Sequence, residues 1–137
     1  MLTREPISES FRRLCLETTK PFLGLCYGHQ VLAVSWGAKV VHKKFMERDE
    51  VIRLEKSDVL LQDLGLFFTA FESHAEHVVR NGNLKKHFEI LAYSDSCKVE
   101  VIRHKERPLW GVQFHPEKSG TVGKQLLANF ARIVSNL

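Results

Sequence analysis

A cysteine stands between two glycines where an apolar run gives way to a helical pattern, in Pro21-Phe22-Leu23-Gly24-Leu25-Cys26-Tyr27-Gly28-His29-Gln30. No other stretch narrows the possible folds so far. Pro21 to Leu25 is short and continuously apolar, as expected of a buried parallel strand. From Gly28 to Trp36 the residues Val31, Leu32, Ser35 and Trp36 fall on one helical face, and Gly37 suits a helix C-terminus. A strand that becomes a helix within two residues brings two backbones close together, so small residues are expected two before and two after the turn. G-x-C-x-G is the cysteine form of a nucleophile elbow. It aims the helix N-terminus at the thiol, where free amides and the macrodipole favour thiolate. It also aims the Tyr27 N–H at the oxyanion that would form if Cys26 attacked a carbonyl. The competing reading of these five residues is a cysteine serving as a small buried hydrophobe.

The rest of the chain supplies an α/β frame for such a turn. Pro6 to Thr18 has Ile7, Phe11, Leu14 and Thr18 at helical spacing, with Pro6 near the start. Val40-Val41 begins a strand, and Glu50 to Leu54 alternates as a half-exposed strand does. Asp58 to Leu64 predicts one or two helical turns closed by Gly65, and Leu66 to Phe71 a strand running into Glu72-Ser73-His74-Ala75-Glu76-His77-Val78. His87 to Tyr93 and Cys97 to His104 are two more strands. The second pairs with Leu109 to Phe114 through Lys105-Glu106-Arg107-Pro108, a predicted hairpin. Gly120 to Leu137 places Val122, Leu126, Phe130, Ile133 and Leu137 on one face of a closing helix. Strand, elbow, helix, a run of strands and a helix together predict one α/β domain over residues 1–137.

Composition excludes several function classes. A chain of 137 residues, 44% hydrophobic and 26% charged, can bury a core without a metal or disulfide. No apolar run approaches the about 20 residues of a membrane span, and residues 1–10 lack the pattern of a secretory signal. A cytoplasmic setting is therefore expected. The net charge is +4, with basic residues scattered among acids rather than forming a stripe for nucleic acid. Cys15, Cys26 and Cys97 form no C-x-x-C pair, which fits a reducing compartment and argues against zinc. There is neither a G-x-G-x-x-G nor a phosphate-binding loop, so no cofactor is expected.

A second motif decides between the readings of Cys26. Gly111-Val112-Gln113-Phe114-His115-Pro116-Glu117 ends a strand with a histidine and a glutamate two residues apart. In an extended segment such positions share a face. Glu117 can then accept from one ring nitrogen of His115, leaving the other to face a thiol, as nucleophile, base and orienting acid do in a triad.

With Gly24-Leu25-Cys26-Tyr27-Gly28-His29-Gln30 and Phe114-His115-Pro116-Glu117 in this order, the chain resembles the class I, or triad, glutamine amidotransferases from about Pro21 onward. The resemblance implies a flavodoxin-like, mostly parallel sheet flanked by helices. It implies Cys26 as nucleophile, His115 as general base and then acid, and Glu117 as its orienting partner. Tyr27 would supply an oxyanion amide. Gly28, Gln30, Ser73 and His74 would help hold the substrate. The implied reaction is hydrolysis of the glutamine side-chain amide through a thioester, with ammonia passed to a synthase partner. Within the family, "FESHAEHV" and "HKERPLWGVQFHPE" are most similar to the amidotransferase part of GMP synthase, although Glu76 stands where that type often has Asp. The implied partner is then the ATP-pyrophosphatase part of such a synthase.

The chain also departs from the family. Only residues 1–23 precede Gly24, and no two of its eight glycines are adjacent. A first strand region, and the glycine loop that carries the second oxyanion amide, are thus expected to be missing from a domain short at its N-terminus. Loss of one such donor typically costs about 10²–10³-fold in kcat. Two alternatives to the enzyme follow: a non-catalytic or partner-completed binding module of the same fold, and a cysteine hydrolase of γ-glutamyl peptides. Other polar residues read as packing or surface. Cys15 and Cys97 are expected in or near the core, and His42, His87 and His104 on the surface. His74 and His77 lack a third ligand for a metal.

Overall fold

Helix and strand periods place one six-stranded sheet between two helical layers in the computed structural model, which describes residues 1–137. The helices are α1 (Glu9–Glu17), α2 (Tyr27–Ser35), α3 (Gly82–Lys85) and α4 (Gly120–Ser135). The strands are β1 (Phe22–Leu25), β2 (Val40–Leu54), β3 (Phe67–Val78), β4 (Phe88–Tyr93), β5 (Val101–His104) and β6 (Leu109–Val112). Their spatial order is β1-β6-β5-β4-β2-β3. No helix is long and apolar enough to cross a membrane.

Alternation along the strands feeds both layers. On β6, Trp110 and Val112 join Leu60, Leu61, Phe114 and Leu126 in the core under α4, while Leu109 joins Cys15, Val31, Leu32 and Ile102 under α1 and α2. Each fully buried aliphatic side chain contributes about 1.5–3 kcal/mol. Ser8 caps α1, its Oγ accepting from the Phe11 amide at 3.2 Å. Gly37, at φ 98°, closes the chain after α2. Asp58 ties three elements together: it accepts from the Leu60 amide (2.9 Å), Trp110 Nε1 (2.9 Å) and Arg103 (2.6 Å).

The α/β class holds, but the sheet is not mostly parallel. Only β1 and β6 pair parallel; β2–β3, β2–β4, β4–β5 and β5–β6 are antiparallel. Parallel neighbours need a crossover of a dozen or more residues. Here short links such as Lys105 to Pro108 return the chain beside itself. The two expected strands Val40-Val41 and Glu50–Leu54 are one strand, whose register shifts between His42 and Met46, so that the alternation breaks midway. Helix α3, capped by Asn81 Oδ1 on the amides of Asn83 and Leu84, carries no apolar period of its own. The strand expected from Cys97 begins only at Val101, because Ser94 and Cys97 close a turn first.

Two of the cysteines lie where expected: Cys15 and Cys97 are fully buried. Of the three histidines expected on the surface, His42 is exposed and His87 half-buried, whereas His104 is buried. Its ring packs on Trp36 at 4.3 Å between centroids. Its Nδ1 accepts from the amides of Glu106 and Arg107, each at 3.0 Å, and so organises the β5–β6 turn.

Candidate active site

The elbow forms where β1 hands over to α2. Cys26 occupies φ 51°, ψ −102°, a region a non-glycine residue enters at a cost on the order of 1–3 kcal/mol. Its amide donates to the Val112 carbonyl at 2.8 Å, and its own carbonyl accepts from Gln30 at 3.2 Å. A Cβ on Gly24 would lie 2.5 Å from the Gly28 carbonyl oxygen, so β1 and α2 approach too closely for any side chain there. Gly28 differs from expectation: a Cβ there meets nothing within 4 Å.

The thiol is half-buried. Its Sγ donates to the Ser73 carbonyl at 3.7 Å and accepts from Gln113 Nε2 at 3.6 Å. Burial pushes its pKa up to about 11, and the carboxylates of Glu72 and Glu117 push the same way. The Tyr27 amide and Gln113 pull it down without prevailing. The expected preference for thiolate is therefore overturned: the helix N-terminus does act on the sulfur, but desolvation outweighs it. At neutral pH the group is a thiol, and its attack needs a base.

His115 is held beyond the end of β6. Its amide donates to the Phe71 carbonyl at 2.9 Å. Ser119 Oγ donates to the His115 carbonyl at 2.6 Å while accepting from the Phe71 amide at 2.9 Å. Nδ1 of His115 donates to Glu117 Oε1 at 2.9 Å, which leaves Nε2 as the free nitrogen. The His–Glu pair expected from spacing is present, but not because both lie on an extended strand. Pro116–Lys118 is a 3₁₀ turn that swings Glu117 back to the ring. No hydrogen bond joins His115 to Cys26 Sγ, whose partners are Ser73 and Gln113. A Cβ on Gly123 would come within 1.7 Å of the Pro116 carbonyl oxygen, so α4 packs directly on this turn.

Beside the thiol is a cavity of about 240 Å³, lined in part by Cys26, Tyr27, Gln30, Ser73, His74 and Glu76. Five of the eight residues singled out in the sequence thus share one cavity. Gly28, His115 and Glu117 are not among its walls. The polar floor of the site is tightly interlocked. Gln30 Nε2 donates to the Glu76 carbonyl (3.0 Å) and Gln113 Oε1 (3.1 Å). His74 uses Nδ1 on the Glu76 carbonyl (3.1 Å) and Nε2 on Glu72 Oε1 (3.2 Å). Behind them lies Glu100, fully buried, with Ser94 Oγ donating to it at 2.6 Å. Burial and the facing Glu72 push its carboxyl well above the usual range. The rings of His74 and His77 meet edge to face at 4.7 Å, and no three His, Cys, Asp or Glu side chains converge as metal ligands do.

Sequence reasoning leaves Gln113, Glu100 and Gly123 without a role. Only Gln113 carries a usable signal: it precedes His115 by two in a strand-end segment. The others depend on residues far away in the chain.

The family model described as "Glutamine amidotransferase class-I" matches residues 4–134. The chain belongs to the class-I glutamine amidotransferase family. This amidotransferase-family chain is 39% identical over 123 residues to a glutamine-hydrolyzing GMP synthase subunit of Methanococcus aeolicus, covering 88% of the chain and 63% of that relative. It is 37% identical over 123 residues to the protein of the same name from Pyrococcus abyssi, covering 88% and 64%. It therefore spans less than two thirds of the length of these curated relatives. A Thermoplasma acidophilum crystal structure, assigned provisionally to the same GMP synthase subunit, superposes with a TM-score of 0.84 at 29% identity, over 93% of this chain and 63% of that one. A Thermotoga maritima glutamine amidotransferase superposes with a TM-score of 0.69 at 19% identity, over 93% of this chain and 54% of that one. At that identity only the fold is shared.

Proposed function

We propose that this family member hydrolyses the side-chain amide of glutamine and passes ammonia to a synthase partner, in the manner of a GMP synthase amidotransferase subunit. The observation that carries the reading is Cys26 held at positive φ on the elbow, its sulfur against the Tyr27 amide, beside a cavity of about 240 Å³. Cys26 Sγ would attack the amide carbon as its proton passes to His115 Nε2, the nitrogen that Glu117 leaves free. The oxyanion would take a hydrogen bond from the Tyr27 amide. Collapse breaks the C–N bond, and the leaving nitrogen collects the proton from His115 to depart as ammonia. Water, deprotonated by the same ring, then cleaves the thioester to glutamate and restores the thiol. Gln30, Ser73 and His74 are proposed to shape the substrate cavity, with Gln30 and His74 acting largely through the hydrogen bonds that hold them. The similarity to GMP synthase subunits supports the ATP-pyrophosphatase part of such a synthase as the ammonia acceptor.

A second reading has a specific observation behind it. The thiol is held up to about 11, and its hydrogen bonds go to Ser73 and Gln113 rather than His115. That arrangement favours a site that turns over slowly until a partner brings sulfur and base together. One assay separates these readings: ammonia release from glutamine with and without the synthase partner. Cys26→Ala should lower the rate by about 10⁴-fold or more in either state. Unchanged hydrolysis in that variant would exclude Cys26 as nucleophile. A rate present only with the partner would favour the completed-site reading.

A further inference from the structure

We infer that Gln113 is a positioning residue for the proposed nucleophile, its side-chain amide locked by Gln30 so that it must donate to the Cys26 sulfur. The inference rests on the reading of Cys26 as nucleophile and names a group outside the triad. Gln30 Nε2 carries two hydrogens, and both are committed, to the Glu76 carbonyl (3.0 Å) and to Gln113 Oε1 (3.1 Å). Gln113 Oε1 must therefore accept, which turns its Nε2 towards Sγ at 3.6 Å. Flipping the amide would set N–H against N–H at Gln30 and remove the donor from the sulfur. Gln113 is fully buried, and its backbone amide is fixed on the Glu100 carbonyl at 2.8 Å.

The consequence is electrostatic. A donor aimed at a neutral thiol contributes little, but the same bond strengthens as negative charge builds on sulfur. It therefore acts while the proton leaves for a base. Gln113 also precedes His115 by two residues in one segment, and Gln30 follows Cys26 by four on α2. The Gln30–Gln113 bond thus fastens the helix that carries the thiol to the segment that carries the histidine.

The test is the pH profile of Cys26 alkylation by iodoacetamide, located by peptide mass, in the wild type, Gln113→Met and Gln113→Glu. Cys26→Ala serves as the blank. Loss of a charge-assisted hydrogen bond should slow alkylation of Gln113→Met roughly tenfold at each pH below the midpoint. Gln113→Glu keeps the shape and, above the raised pKa that burial gives its carboxyl, turns a carboxylate to the sulfur, so in that part of the profile it should react more slowly still. A purely structural role would not order the profiles by charge. Superimposable profiles in folded variants would overturn the inference. If Gln113→Met does not fold, Gln30→Met removes the lock together with the Gln30 bond to the Glu76 carbonyl, leaves Gln113 itself in place, and should give a smaller shift of the same sign; no shift would overturn the inference equally. An electrophilic glutamine analogue separates this from the proposed activity. Labelling of the wild type with no ordering among the variants sinks the role of Gln113 alone. The ordering without any labelling, even with the synthase partner present, sinks the glutamine reading and leaves Gln113's role intact.

Discussion

A methyl group added at Gly24 would lie 2.5 Å from the Gly28 carbonyl oxygen, whereas one added at Gly28 would meet nothing within 4 Å. The elbow's two glycines therefore act differently. Gly24→Ala must push β1 from α2 and is expected to lose about 1–3 kcal/mol of stability in urea unfolding. Gly28→Ala lies in the first turn of a helix and should be neutral or gain up to about 1 kcal/mol from helix propensity. Equal losses at both positions would show that the close approach is not where the structure puts it. At the same scale, the positive φ of Cys26 is strain held in place by the bonds from its amide to Val112 and from Gln30 to its carbonyl.

The segment that carries His115 owes its position to its neighbours. Its backbone is pinned to β3 through Phe71 and Ser119, and α4 is pressed against the Pro116 turn at Gly123. Gly123→Ala would set a Cβ 1.7 Å from the Pro116 carbonyl oxygen, so helix or turn must move. The expected cost is about 1–3 kcal/mol in thermal or urea unfolding. A larger relative loss is expected in labelling of Cys26 by the glutamine analogue, compared at equal folded fraction. If labelling fell only in proportion to folded protein, the turn would not need its present place. Legibility ends at the same element. The spacing of His115 and Glu117 announces their pairing, but the 3₁₀ turn that achieves it reads as strand, because proline ends a strand and begins such a turn with equal ease.

Across the whole molecule, buried ionisable groups pull stability in opposite directions with pH. His29 is fully buried, and burial lowers its pKa to about 3 although the nearby Gly111 and Val99 backbone pulls the other way. A histidine depressed in the folded state leaves stability intact above its unfolded pKa of about 6.5. Stability is then lost as pH falls towards the folded value, in total a few kcal/mol. Glu100, raised by burial and by Glu72, has the reverse sign: its contribution is present below the unfolded carboxyl pKa and is lost as pH rises. His29→Leu isolates the first effect. Between neutral pH and about pH 4 the variant should lose less stability than the wild type, by about 1–3 kcal/mol, measured by urea unfolding at each pH. Parallel curves would mean that His29 is already charged or solvated in the folded protein.

On α1 the buried place goes to Cys15 while Leu14 is exposed, and Leu137 is exposed beyond the end of α4. The sequence by itself determined the elbow at Cys26, the face of α2, the face of α4 as far as Ile133, the β5–β6 hairpin and the nearness of His115 to Glu117. Each is local: apolar spacing, a turn residue or a separation of two residues is enough to specify it. Only the tertiary structure decided that most strand pairs run antiparallel, that partial desolvation of Cys26 keeps it a thiol at neutral pH, and that Gln113, 87 residues from Cys26, reaches its sulfur. Periodicity reports which side of an element is covered, not what covers it. Desolvation and hydrogen bonds between distant segments depend on the covering groups, and those are known only when the chain has folded.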